Sequence, residues 1–231
     1  MQIRYAGFTA QQALPLILVV LLIFAVPLIL RRRGKQGPDK EQRGTQRQEP
    51  RGSNATKADM MELLSALITF SRRNKIGIVF PGTVEYGNEV ATLLALLVTK
   101  SEVIGVNSFG YGGTITKGNG DGDWKQHMNG QDIRIKSPTV MNRQQQWICR
   151  QAMDAAGMKE ISFRVAGVFS NRHVTLETGK GCGLWTKESF FEELKAQLAV
   201  EEERIPDPQK VVDQLVAITK KVRLEKKKKK N

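Results

Sequence analysis

The sequence predicts a mixed α/β domain with a central sheet, carried behind a single N-terminal membrane helix. Three observations predict this. Residues 13–30, ALPLILVVLLIFAVPLIL, hold no charge and run straight into Arg31-Arg32-Arg33. Beyond residue 58, segments with helical spacing of apolar residues are interleaved with short strand-like runs. The charge is also partitioned: residues 31–58 carry nine bases and three acids, 220–231 carry eight bases and one acid, and 59–219 carry 18 bases and 19 acids.

The membrane segment comes first. Its eighteen residues, at about 1.5 Å each, reach roughly 27 Å, close to a hydrocarbon core of about 30 Å. Pro15 and Pro27 sit near its ends, where a missing backbone hydrogen bond costs least. A cleaved signal peptide is the rival reading. It fits poorly, because arginines follow the apolar run where a small-x-small cleavage site belongs. One base precedes the span and a cluster follows it, so the bulk of the chain is expected in the cytoplasm. Cys149 and Cys182 are then expected as free thiols.

Charge partition also decides what the high pI means. It belongs to a linker and a tail, so it gives no argument for a nucleic-acid-binding domain. Residues 31–57 are rich in Gln, Gly, Arg and Pro without apolar periodicity, and are expected to be disordered over anionic headgroups. The Lys226–Lys230 run is a solvated tail, or a contact for a membrane surface or RNA. Residues 100–187 keep a mild excess, 12 bases against 7 acids, so a basic face within the domain stays open. Two cysteines and two histidines exclude a disulfide scaffold and a Cys/His zinc module.

The folded part spans 58–222. Met60, Leu64, Leu67 and Ile68 place a helix over 58–71. Residues 76–80 form a short strand stopped by Pro81-Gly82. Val90, Leu93, Leu94 and Leu97 predict an amphipathic helix over 88–98. Strand-like pieces at 102–107, 112–117 and 131–136, separated by Gly/Asn/Asp turns, predict an antiparallel meander. A helix follows over 140–156, with Val140, Gln144, Trp147, Ile148 and Gln151 along one side and Gly157 as cap. Residues 161–169 form a buried strand. Two helices close the domain: 187–200 capped by Thr186, and 208–222 capped by Asp207 with Pro208 at its first position.

Familiar motifs fail on inspection. Gly113–Gly118 is followed by Asn119, so the seven glycines of 105–122 hold no Walker A loop. No dinucleotide fingerprint occurs. Asn119-x-Asp121-x-Asp123 begins like a calcium loop, but Trp124 and Gly130 stand where Gly and Glu are required. These residues read as hairpin turns. His127 and His173 have no partner at ligand spacing.

A longer ordered series remains. Gly87-Asn88-Glu89-Val90 is followed by Val103–Phe109, Gly112-Gly113-Thr114-Ile115, Gly122-Asp123-Trp124-Lys125-Gln126, Ser137-Pro138 and Val168-Phe169-Ser170-Asn171. Over about 83–200 this series resembles the nuclease-related domain (NERD) family, of the PD-(D/E)xK nuclease-like class. That domain in bacteria often follows a membrane anchor. The resemblance implies a truncated restriction-endonuclease-like fold. It also implies a site in which a helix Glu, a strand Asp and a Glu-x-Lys strand hold a divalent cation and activate water. The helix Glu maps to Glu89. The Glu-x-Lys positions fall on Gly105 and Asn107, and no Asp lies between Glu89 and Val103. The resemblance therefore implies a shortened relative without catalysis, in which Glu89 is a vestige at a helix N-terminus.

Three functions follow for the cytoplasmic domain. The first is non-catalytic binding of nucleic acid or a protein, with Trp124, Gln126, Arg134, Lys136, Arg143 and Arg150 as contacts and no cofactor. Its counter-reading puts Trp124 and Trp147 in the core. The second is an active Mg²⁺-dependent nuclease with migrated residues: Glu89, Glu102, Lys100, and Asp121 or Asp123. The third is a structural anchor or scaffold.

Overall fold

The computed structural model describes residues 53–120, 122–179 and 181–228. The tail 1–12, the apolar run 13–30, most of the linker 31–57, the end of the tail 223–231 and Asp121 lie outside the described residues. In chain order the elements begin α1 (Lys57–Asn74), β1 (Gly77–Val79), β2 (Gly82–Tyr86), β3 (Glu89–Leu93), β4 (Ala95–Val98) and β5 (Glu102–Phe109). Next come β6 (Gly113–Lys117), β7 (Trp124–Met128), β8 (Gln131–Ile135) and α2 (Pro138–Ala155). The chain closes with β9 (Ser162–Phe169), β10 (Val174–Glu177), β11 (Leu184–Thr186), α3 (Lys187–Val200) and α4 (Pro208–Lys228).

Helix α1 starts where a capping box forms. The Thr56 hydroxyl accepts from Asp59 N, and the Asp59 carboxylate accepts from Thr56 N at 2.6 Å. It ends at Lys75, which turns left-handed with φ 56°. Its buried stripe, Leu63, Leu67 and Phe70, meets one face of a five-stranded sheet ordered β1-β4-β5-β9-β11. Helix α3 adds Phe190 and Leu194 to that cluster. On the opposite face, α2 and α4 contribute Ile148, Met153, Val211 and Leu215, packed with Val84 and Leu93 of the β2–β3 ribbon. Strands β5 and β9 are both eight residues long and parallel, from Glu102↔Ser162 to Phe109↔Phe169, and their faces are buried.

A second sheet, ordered β10-β6-β7-β8, closes over Phe109 and Phe169 with Ile115 and Trp124 on its inner face. Its β7–β8 turn is Asn129-Gly130, with φ 54° and 74°, the two positive values a two-residue hairpin turn needs. Its outer face is largely solvated and carries Lys125, His127, Asp132 and Arg134.

The mixed α/β class stands, as do the helices at 58–71, 140–156, 187–200 and 208–222. The Thr186 and Asp207 caps accept from Ser189 N at 3.2 Å and Lys210 N at 3.0 Å. α4 continues past residue 222, to Lys228. Other expectations are corrected. The helix over 88–98 is two strands, β3 and β4. Val90 is exposed, and Ala91, Ala95, Leu96 and Val98 are buried together with Leu93 and Leu97, so burial is not confined to the face that helical spacing selects. Gly87, at φ 59°, turns the chain so that Tyr86 pairs with Glu89; β3 then alternates between solvent and core, and the four apolar residues of β4 are buried on both faces.

One central sheet is replaced by three sheets, the third being the β2–β3 ribbon. Residues 102–107 do not begin the meander; β5 joins the five-stranded sheet, and the meander is β6-β7-β8. Strands β7, β10 and β11 had no separate expectation. Along α2 the expected stripe splits: Ile148 is buried, but Val140, Gln144 and Trp147 face solvent, and Asn142, Cys149, Ala152 and Met153 complete the buried face.

Candidate functional sites

The residues that a nuclease reading would gather are dispersed. Glu89 is exposed on β3, a strand rather than a helix, so it has no helix terminus to complement. Glu102, at the start of β5, accepts from Arg164 Nε at 2.8 Å and from Gln197 Nε2 at 2.7 Å. Arg164 also donates to Gln197 Oε1 and lies over the Trp185 ring, 5.9 Å from its centroid. Beside it, the Glu201 carboxylate accepts from Ser101 N and Oγ at 2.8 and 2.6 Å. Burial raises the Glu201 pKa, but hydrogen bonds from Ser101, Thr99 and Lys100 together outweigh it and hold the group below its ordinary value. Glu102, Gln197, Ser101 and Glu201 line a hollow of about 440 Å³ with Ser162, Glu202 and Arg204. Of its three carboxylates, Glu102 and Glu201 help to fasten α3 and residues 201–205 to β5 and the β4–β5 turn, where Lys100 O accepts from Arg204 N and Ile205 N, and Glu202 pairs with Arg204.

Gly105 and Asn107 are both buried. A Cβ at Gly105 would lie 2.6 Å from Leu93 Cδ1 and 3.2 Å from Phe163 Cζ, so β3 and β9 fill the space a glutamate would need. Asp123 serves the β6–β7 turn, its carbonyl accepting from Gly118 N at 2.7 Å. Among the described residues no group of three or more His, Cys, Asp or Glu is placed to hold a metal ion.

Of the proposed contact residues, Trp124 and Gln126 are interior. Trp124 has 0% exposure in the cluster with Phe109 and Phe169, as the counter-reading has it. Its indole Nε1 has no hydrogen-bond partner among the described residues. Gln126, 3% exposed, donates to Asn54 Oδ1 and to Gly112 O, both at 2.8 Å. Arg150 is structural: it pairs with Asp154 and donates to Met158 O and Ile161 O, closing the end of α2.

Trp147 is the reverse of Trp124. It is 53% exposed on α2 and meets the Tyr86 ring edge-on, with centroids 6.1 Å apart. Arg143 and Gln144, one turn earlier, and Val140 lie on the same exposed side. Glu89 stands directly across from Tyr86 on the ribbon. The fold therefore brings Glu89 and Arg143 to the rim of one aromatic patch. Tyr86 had escaped notice because its proximity to Trp147 depends on the ribbon that replaces the expected helix. Gln145 secures that ribbon, accepting from Thr92 N at 2.7 Å.

Arg134 lies on edge strand β8, and Lys136 follows it. Arg134 stands directly opposite Lys125 of β7 on the outer sheet face. Like charges so placed repel. His127 pairs with Asp132 at 2.7 Å one row away. Among the described residues no helix is long and apolar enough to cross a membrane. Comparison with known proteins returns no match: no family model fits the chain, and no curated protein or solved structure matches it.

Proposed function

We propose that the chain is a membrane-tethered, cytoplasmic, non-catalytic domain related to the nuclease-related domain family, and that it binds a protein partner through the face centred on Trp147. The observation that carries this reading is the Trp147–Tyr86 pair: a half-exposed tryptophan braced by a tyrosine, with Arg143 and Gln144 beside it. Large aromatic and arginine side chains on rigid elements are what binding hot spots are made of. Glu89 at the rim disfavours a polyanion there and favours a protein surface of mixed charge. The filled space at Gly105 supports the absence of catalysis. The apolar run 13–30 and the arginines after it support the tether.

Site-specific photo-crosslinking in intact cells tests the partner. A photoreactive residue at position 147 should give one discrete adduct, and one at Val200, 82% exposed on α3, should not. Equal adducts from both positions would remove the proposed face. Membrane fractionation of the full chain against a chain lacking 13–30 tests the tether.

The Lys125–Arg134 pair favours a second reading, nucleic-acid binding across the outer sheet face, with Lys136 alongside. Two cations held opposite one another gain most when a phosphate lies between them. Salt-dependent binding of labelled RNA or DNA, lost in the Lys125→Glu/Arg134→Glu double variant, would support it over the protein reading.

A further inference from the structure

Residues 53–55 do not simply lead into α1. Ala55 N donates to Gly110 O at 2.6 Å, and Ser53 O accepts from Asn171 Nδ2 at 2.6 Å. The Asn54 side-chain oxygen accepts from both Gln126 Nε2, at 2.8 Å, and Gly112 N, at 3.3 Å. Four polar groups from three separate parts of the fold thus converge on three residues: the Gly110 carbonyl, the Gly112 amide and the side-chain amides of Gln126 and Asn171. With the segment in place Gln126 and Asn171 are 3% and 6% exposed, so its carbonyl and side-chain oxygens, not water, satisfy their amides. Asn171 is itself held in place, its Oδ1 accepting from His173 N at 2.8 Å.

The backbone is shaped for this contact as well. A Cβ at Gly112 would lie 2.1 Å from Ser53 O and 2.7 Å from Asn171 Nδ2, and one at Gly110 would touch the Ala55 methyl at 3.6 Å. The groove therefore admits an extended backbone only because Gly112 has no side chain. Asn54 itself is exposed apart from its oxygen's two bonds, which is the pattern of a docked segment rather than a core strand.

We propose that Gly110, Gly112, Gln126 and Asn171 form a socket that recognises an extended segment with asparagine at its centre, and that residues 53–55 of the same chain are its occupant. The socket fixes where the segment ahead of α1 leaves the domain, which is held from Ser53 and not only from the Thr56 cap. Release of the segment would uncover these four groups for another extended chain to pair. Only the description of the preceding segment as a tether rests on the function proposed above; the socket itself does not.

Amide hydrogen exchange on the full chain tests this. In the native sequence, the Ala55 and Gly112 amides are expected to be protected. Asn54→Ala, a change at an exposed side chain, is expected to accelerate both by at least about tenfold, the effect of losing roughly 1.4 kcal/mol of local closure. The β5 amides should be unchanged. Gly112→Ala should free the Ala55 amide in the same way. Native Ala55 and Gly112 amides that exchange at the rates of a short unstructured peptide would overturn the socket, as would an Asn54→Ala chain with their protection intact. Equal acceleration throughout β5 would overturn it too, by making 53–55 part of the core instead of a docked segment. Loss of membrane association with intact Ala55 protection would count against the tether alone.

Discussion

Asn107 on β5 donates its side-chain amide to Asn142 Oδ1 on α2 at 2.9 Å, with the two residues 8% and 6% exposed. Asn142 in turn donates to Gly183 O at the start of β11, at 3.5 Å. The pair links the middle of the main sheet to the helix that crosses it. Gly167 makes room for it: a Cβ there would lie 2.6 Å from Asn142 Nδ2 and 2.5 Å from Leu184 Cδ2.

Removing one partner leaves the other buried and unsatisfied. Asn142→Ala should therefore destabilise the domain by about 1–3 kcal/mol. For a domain of this size that is a fall in Tm of roughly 2–4 °C per kcal/mol. Thermal unfolding of Asn107→Ala, Asn142→Ala and the double variant checks the coupling, because the second substitution should cost far less than the first. Additive losses would mean that the amides do not depend on one another.

The α1 cap gives a prediction with a defined pH sign. Hydrogen bonds from the Thr56 backbone, and then from its side chain, hold the Asp59 carboxyl below the usual range. A lowered folded pKa stabilises the folded state above the unfolded value, near about 3.9, and that contribution is lost as pH falls through the folded value. Thr56→Ala should cost about 1 kcal/mol near neutral pH. The difference from the native chain should shrink in acid, below about pH 4. Urea midpoints measured at both pH values decide this, and a gap that widens in acid contradicts it.

Much of this was legible in the residues, and the losses have physical causes. Caps announce themselves through local chemistry, so Thr186 and Asp207 were readable as the starts of α3 and α4. The 88–98 segment was not, because a run such as Leu93–Val98 fits either a buried strand or a helix until its partner is known. Its partner, β5, is bound through Leu94 N to Val106 O at 2.7 Å. The same ambiguity hid the Tyr86–Trp147 patch and misplaced Glu89. Trp124 and Trp147 are chemically identical in the sequence, and only the closure of the second sheet over Phe109 and Phe169 buries one and leaves the other in water. Gln126, expected as a surface contact, instead donates its side-chain amide to Asn54 and Gly112 within the fold.

The two cysteines should react differently. Burial pushes the Cys149 thiol up to about 12, whereas Cys182 is only half-buried, beside Thr178 Oγ1 at 3.3 Å. At neutral pH in the folded protein, maleimide should modify Cys182 and spare Cys149, since the thiolate is the nucleophile. Denaturation should yield both. In intact cells an impermeant reagent should reach neither thiol if the domain faces the cytoplasm. Labelling of Cys182 there would reverse the proposed orientation.

Trp147 should matter for contact more than for stability. It is 53% exposed, so Trp147→Ala should lose about 0.5–1.5 kcal/mol for the ring pair and only part of the burial term of a core tryptophan. Trp124→Ala should cost about 3–5 kcal/mol. Fluorescence separates them, because the red-shifted, iodide-quenchable emission should fall sharply in Trp147→Phe, leaving the share of part-buried Trp185, and should persist in Trp124→Phe. A Trp147→Ala chain as unstable as Trp124→Ala would make Trp147 a packing residue and not a contact.

The last prediction concerns chemistry. With Mg²⁺ or Mn²⁺ supplied, the purified full chain is expected to leave labelled single- and double-stranded DNA and RNA intact over hours. The argument is local. Phosphodiester hydrolysis of this class needs carboxylates that converge on a cation and a cation beside the attacking water. Glu102 is committed to Arg164 and Gln197, and Glu89 stands opposite Tyr86 on the ribbon. At Gly105, Leu93 occupies the place of a further carboxylate, and Asn107 gives its amide to Asn142. Each missing electrostatic group typically costs two to three orders of magnitude in rate. Gly105→Glu alone should not restore activity, because Leu93 and Phe163 leave it no room, and it should destabilise the domain. Cleavage by the native chain that is abolished by Glu89→Ala or Glu102→Gln would show a working site assembled from these residues, and the non-catalytic reading would fall.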